Sequence, residues 1–241
     1  MSAIRVPPGA RVATKRLVLF DVDGTLLSSG LAARTTLASA LRDVYGTSGD
    51  VEGYAFEGRL DPLIVTDLMR AAGVADETIA ARRADALALY LDRLEAALGE
   101  RPPVLKPGVP ALLDALEKVP GLVLALLTGN VERGARLKLS FAGIWHRFAF
   151  GVWGDDAPRR EELGPVALAR ARPATGLAFT GSECVVVGDS RHDVACGLSF
   201  GARAVAVGTG RTALPALAAA GAHAVLADFS DTPRAVEAIL G

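Results

Sequence analysis

Short apolar runs alternate with amphipathic stretches along most of the chain. Leu17–Phe20, Leu122–Leu127, Phe148–Val152, Cys184–Val187, Ala204–Val207 and Ala224–Leu226 carry almost no polar residue. Such runs suit strands covered on both faces, as in a parallel sheet. Between them, helical periodicity predicts helices over 110–119, 131–141, 163–172, 193–200, 212–220 and 232–240, with Gly201 and Gly221 placed as C-terminal stops. The pattern changes between residues 28 and 103, where no strand is evident. One helix is expected from Leu31 to Val44, stopped by Gly46. A second starts at Asp61-Pro62, with Asp61 as N-cap, and runs to about Gly73; a third spans Asp76–Leu98. Arg101-Pro102-Pro103 reads as a stiff return linker.

These elements predict a doubly wound, Rossmann-like α/β core of parallel strands, with an all-helical insertion after its first strand. The expected boundaries are a flexible tail over 1–14, the core over 15–27 and 104–241, and the insertion over 28–103. No internal repeat is evident.

Three of the strands end in clusters of small and polar residues. The first gives Asp21-Val22-Asp23-Gly24-Thr25, the second Thr128-Gly129-Asn130, and a later one Gly188-Asp189-Ser190-Arg191-His192-Asp193. Ligands of open parallel sheets sit at the carboxyl ends of strands, where these clusters converge. Two aspartates closing a buried strand are costly unless a cation or a proton-transfer role accounts for them. Asp21 and Asp189 offer hard oxygen ligands suited to Mg²⁺. Thr128 with the backbone N–H groups of Gly129 and Asn130 makes an anion cradle at a helix start. Arg159 and Arg160 bring fixed positive charge. Simpler roles exist for each: an Asx turn at Asp21 and Asp23, a cap at Thr128, a first-turn acid at Asp193. Taken together, a cation site, an anion cradle and a spare carboxylate describe phosphoryl transfer.

Composition narrows the field. With 241 residues, 51% hydrophobic and 22% charged, the chain is an ordinary globular one. A net charge of −1 provides no basic field for nucleic acid. Cys184 and Cys196 read as buried thiols, not a disulfide framework. The first residues lack the apolar core of a signal peptide, and no run would span a bilayer, so a soluble cytoplasmic protein is expected.

Asp21-x-Asp23-Gly24-Thr25, Thr128-Gly129-Asn130, the basic residue and Gly188-Asp189-x-x-x-Asp193 resemble the four motifs of the haloacid dehalogenase-like hydrolases, specifically the phosphoglycolate phosphatase and β-phosphoglucomutase branch. The helical insertion is similar to that family's C1-type cap. The resemblance implies Asp21 as nucleophile and Asp23 as general acid and then base. Thr128 and Gly129 would bind the phosphoryl oxygens, with Asn130 beside them. Arg160 is the basic residue, with Arg159 its neighbour and rival. Asp189 would be a Mg²⁺ ligand, together with Asp21, the Asp23 carbonyl and Asp193, the last as ligand or orienting group. Arg59, in Glu57-Gly58-Arg59-Leu60-Asp61-Pro62, resembles a cap residue that reaches the substrate; Arg34 is a weaker candidate. His192 is expected on the solvent side. An acid two residues after the nucleophile marks phosphatases and mutases, because an alkoxide leaving group needs a proton.

The expected function is Mg²⁺-dependent hydrolysis of a small phosphorylated metabolite through an aspartyl-phosphate. The alternative is a mutase of the β-phosphoglucomutase type. A non-catalytic receiver-like domain would have about half this length and no insertion. The sequence leaves the substrate and the oligomeric state open.

Overall fold

The computed structural model describes residues 15–241, so the tail expected over 1–14 lies outside the described residues. The first half of the chain comprises β1 (Arg16–Phe20), β2 (Leu27–Ser28), α1 (Ala32–Tyr45), α2 (Asp61–Ala71), α3 (Asp76–Glu100), β3 (Val104–Leu105), α4 (Val109–Leu116) and β4 (Leu122–Leu127). The second half comprises α5 (Glu132–Phe141), β5 (Gly151–Val152), α6 (Leu163–Thr175), β6 (Cys184–Gly188), α7 (Arg191–Ser199), β7 (Arg203–Val207), α8 (Leu214–Ala219), β8 (Ala224–Leu226) and α9 (Thr232–Leu240).

The main sheet has six parallel strands in the order β5-β4-β1-β6-β7-β8. The chain winds outward from β1 to β5, crosses back, and winds out again through β6, β7 and β8. Strand β1 therefore sits at the point where the winding reverses, the place where such sheets bind ligands. Register fixes the site as well. Phe20 lies opposite Leu126 on β4 and Val187 on β6, so the three strands end nearly level. The Asp21 N–H donates to the Val187 carbonyl at 2.9 Å, carrying the ladder one residue into the first acidic cluster.

Alternate side chains serve the two faces. Val18, Phe20, Leu124, Leu126, Val185 and Val187 pack towards α4 and α9, in a cluster with Leu112, Leu113, Ala235 and Ile239. Leu17, Leu19, Ala125, Leu127 and Val186 pack with Leu163, Ala167 and Ala171 of α6. Both faces are dry, which explains why the strands carry continuous apolar runs.

The helices between β2 and β3 form a further buried cluster, which Val131 at the start of α5 joins. Leu37 and Leu41 of α1, Val65 and Leu68 of α2, and Leu91, Leu94 and Leu98 of α3 form one buried cluster. The chain leaves and returns through an antiparallel ribbon, Leu27 facing Leu105 and Ser28 facing Val104.

Several boundaries differ from the sequence expectation, three of them for identifiable physical reasons. Helix α2 has Leu60, in extended conformation, at its N-cap position, and Asp61 is already helical. Its carboxylate caps nothing on α2; Oδ2 instead accepts from the Val131 N–H at 3.0 Å, across to the start of α5. The strand expected over 148–152 shrinks to Gly151–Val152, because the preceding Trp145–Arg147 forms a 3₁₀ turn. Helix α4 starts one residue early because Gly108, at φ 80, turns the chain beside Phe229, whose carbonyl carbon would lie 2.0 Å from a Cβ at that position. Among the described residues, no helix is long and apolar enough to cross a membrane.

Candidate active site

The ends of β1 and β6 bring three carboxylates together. Ligand oxygens of Asp21, Asp189 and Asp193 all lie within 4.8 Å of one another, and all three residues are buried. Two devices shape this cluster locally. Gly24, at φ 86, turns the chain back towards Asp189, whose carboxylate would lie 2.5 Å from a Cβ there. Ser190 and Asp193 form a reciprocal capping box at the start of α7: Asp193 Oδ2 accepts from the Ser190 N–H at 2.9 Å and from its hydroxyl at 2.6 Å. The Thr25 hydroxyl donates to Asp189 Oδ1 at 3.1 Å.

Of the two adjacent arginines, the structure turns Arg160 inward and Arg159 outward. Arg160 Nη2 donates to Asp21 Oδ1 at 2.9 Å and pairs with Asp193 Oδ1; Nη1 donates to the Gly58 carbonyl at 3.2 Å. Arg159 is exposed and pairs with Glu162 at 2.6 Å. Burial disfavours the charge of Arg160, but Asp193 and Asp21 more than offset this and raise its pKa further. The same burial pushes Asp21 above the usual carboxylate range; Arg160 opposes the shift and Asp193 adds to it. Asp189 is also raised, by burial first and then by the charges of Asp193 and Asp21. Three buried acids against one arginine leave the ionised cluster of hard oxygen donors short of positive charge, the imbalance that with burial raises Asp21 and Asp189. That donor set fits a divalent cation. Both oxygens of Asp193 are already engaged, which suits an orienting role better than direct ligation.

Asp23 belongs to a second network. Its Oδ2 accepts from the Asn130 amide at 2.7 Å and from the Lys138 ammonium at 2.6 Å. Lys138 also donates to Asn130 Oδ1 at 2.6 Å. The Asn130 amide donates to Thr128 Oγ1 at 2.9 Å, and the Asn130 N–H donates there at 3.3 Å. With Thr128 Oγ1 accepting twice, its own hydroxyl proton is free to donate into the cavity that Thr128 lines. Lys138 has no counterpart among the residues singled out from the sequence. It lies two turns along α5, eight residues from Asn130, and burial lowers its proton affinity less than Asp23, Tyr90 and Asp61 raise it.

A cavity of about 430 Å³ opens over both networks. Its floor includes Asp21, Asp23, Thr128, Gly129, Arg160 and Asp189, while Arg34, Leu37, Phe56, Arg59, Ile64 and Tyr90 come from the helical insertion. The segment before α2 lies flush on the floor. The Asp61 N–H donates to the Gly129 carbonyl at 2.7 Å, and a Cβ on Gly129 would meet the Arg59 carbonyl oxygen at 1.9 Å. Arg59 lines the cavity yet stays exposed. Arg34 is braced at the rim, donating to the Val51 and Glu52 carbonyls at 2.7 Å each, with its guanidinium over the Phe56 ring. His192, expected to face solvent, is half-buried; burial, then Arg59 and Arg160, lower its pKa.

The model of the haloacid dehalogenase-like hydrolase family matches residues 18–197. The chain belongs to this family. A phosphoglycolate phosphatase of Xylella fastidiosa (strain 9a5c) is 35% identical over 182 residues, 74% of each chain. "Probable phosphatase IndB" of Dickeya dadantii (strain 3937) is 29% identical over 237 residues, covering 94% of this chain and 95% of its own. Two solved structures share the fold. A predicted phosphatase from Clostridium acetobutylicum superposes with a TM-score of 0.72 at 21% identity, over 92% of this chain and 99% of its own. CbbY from Rhodobacter sphaeroides, in complex with phosphate, gives 0.67 at 19% identity, over 90% and 95%. Together these relatives make the chain a phosphatase of the haloacid dehalogenase-like family.

Proposed function

We propose that this phosphatase hydrolyses a small phosphate monoester through an aspartyl-phosphate on Asp21, with Mg²⁺ as cofactor. The observation that carries the reading is the separation of two acidic groups at one strand end. Asp21 lies against Arg160 beside Asp189 and Asp193, while Asp23, two residues on, has its own donors.

In the first half-reaction an oxygen of Asp21 bonds to phosphorus and the bond to the ester oxygen breaks. The departing alkoxide takes a proton from Asp23. In the second, Asp23 takes a proton from water, the water oxygen bonds to phosphorus, and the Asp21–phosphorus bond breaks. Phosphate leaves and both carboxylates return to their starting states. The Thr128 hydroxyl and the Gly129 N–H hold the phosphoryl oxygens, and Asn130 fixes the Thr128 side chain. Arg160 offsets the charge of Asp21 and of the incoming phosphate. Asp21, the Asp23 carbonyl and Asp189 would hold Mg²⁺, with Asp193 behind them. When bound, the ion supplies positive charge that shields the carboxylate from the phosphate and stabilises the charge of the transferring group.

Residues 28–103 act as a cap that closes over the ester and excludes water. Closure needs Gly129. Gly129→Ala places a methyl group against the Arg59 carbonyl, and kcat/KM is expected to fall about 10²-fold, because a shift of about 1 Å spoils positioning. Steady-state kinetics with normal thermal melting checks this; an unchanged kcat/KM would show that the methyl group is accommodated without displacing the cap.

The reading is tested by following phosphate release from a panel of phosphate monoesters, with Mg²⁺ and with chelator. Turnover of at least one ester, lost on chelation and restored by Mg²⁺, is expected. No release across the panel would refute the assignment.

A further inference from the structure

Lys138 is a buried charged side chain that the reaction scheme leaves without a role. Its side chain is 4% exposed and that of its partner Asp23 40% exposed, and both residues line the cavity. Burying a lysine to meet a half-exposed carboxylate is a poor way to add stability, since desolvation of the ammonium takes back most of the attraction and an apolar side chain would pack as well. The contact is also unusually over-determined. Lys138, Asn130 and Asp23 form a closed triangle: the ammonium donates to both other side chains, and the amide donates to the same Asp23 oxygen. Both donors converge on Oδ2. Oδ1 has no hydrogen-bond partner among the described residues.

We propose that Lys138 is a positioning residue for Asp23: by fixing Oδ2 together with Asn130, it presents Oδ1 as the one oxygen that carries and delivers the proton to the leaving group. Lys138 stands on α5 of the core, outside the helical insertion, so the orientation of Asp23 is set whether or not the cap is closed. The lysine touches neither the ester nor the cation in this scheme and acts through Asp23 alone. This inference rests on the phosphatase reading above.

The test exploits the leaving group. An alkyl oxygen departs only with a proton, whereas a nitrophenolate departs without one. The quantity to compare is kcat/KM, which reports the steps up to departure of the leaving group. Lys138→Met is expected to lose about 10²-fold on an alkyl phosphate turned over by the wild type, but less than about fivefold on 4-nitrophenyl phosphate. Lys138→Gln, which keeps a neutral donor within reach of Oδ2, should recover part of the alkyl-ester loss. Circular dichroism melting checks folding, and where Lys138→Met fails to fold, Lys138→Gln is judged by the same ratio. Equal losses on the two esters would mean a merely structural lysine and would overturn the inference, as would no loss on either. Because the alkyl ester is one that the wild type turns over, failure of the phosphatase reading shows as a silent ester panel, whereas failure of this inference shows in the ratio of the two losses.

Discussion

Asp21→Asn is expected to abolish turnover while leaving the fold intact. An amide oxygen is a poor nucleophile towards phosphorus and a poor leaving group from it, so kcat should fall at least about 10³-fold, the loss expected when a covalent route is closed. Stability should move the other way. Asp21 is buried, and that burial disfavours its charged form. Asparagine removes a charge from a cluster in which three carboxylates face one arginine, and Arg160 keeps Asp193 as partner. The metal-free variant should therefore melt at or above the wild-type temperature at pH 8. Phosphate release and thermal melting measured on one preparation separate the two effects. Retained wild-type turnover would rule out Asp21 as the nucleophile. A collapsed melting temperature would show that its ion pair with Arg160 outweighs the cost of burying it.

The sheet and the acidic cluster were legible in the sequence for the same reason. A strand covered on both faces must be apolar throughout, so polar residues can begin only where the strand leaves the core, and that edge is where a parallel sheet binds ligands. Leu17–Phe20 followed by Asp21, and Cys184–Val187 followed by Gly188-Asp189, show the transition directly. Contacts that depend on two distant segments meeting were not legible. Asp61 before Pro62 has the local form of a helix cap, yet its carboxylate bonds the Val131 N–H, and only the approach of α2 to the end of β4 places them together. Lys138, between Leu137 and Leu139, reads as one more charged position on an amphipathic helix. Its spacing of four from Gly134 and eight from Asn130 puts it on the face turned towards the site, but that face has no distinguishing composition. The β2–β3 ribbon escaped because two residues per strand carry no periodicity.

The acidic cluster also predicts how cation binding depends on pH. Asp21 and Asp189 both have raised pKa values, chiefly through burial. An unfolded carboxyl loses its proton near about pH 4. Between that pH and the raised values, the folded protein binds more protons than the unfolded chain, so these groups make the metal-free protein less stable as pH rises. Magnesium binds the ionised carboxylates and displaces those protons, so its effect has the opposite slope. A saturating concentration, about 100 times the dissociation constant, contributes about 2.7 kcal/mol, or roughly 5–10 °C of melting temperature for a chain of this size. That shift is expected near pH 8 and should shrink markedly towards pH 6, where protons compete for Asp21 and Asp189. Asp189→Asn should flatten the pH dependence of the metal-free protein, abolish most of the magnesium shift and remove magnesium-dependent turnover. Melting curves at the two pH values, with magnesium and with chelator, decide the matter. An equal magnesium shift at both, or a full shift in the variant, would place the cation away from Asp189. The buried charge that makes the metal-free cluster unfavourable is then the same charge that gives it affinity for the ion, and Arg160, already committed to Asp21 and Asp193, leaves Asp189 as the carboxylate with most to gain from the cation.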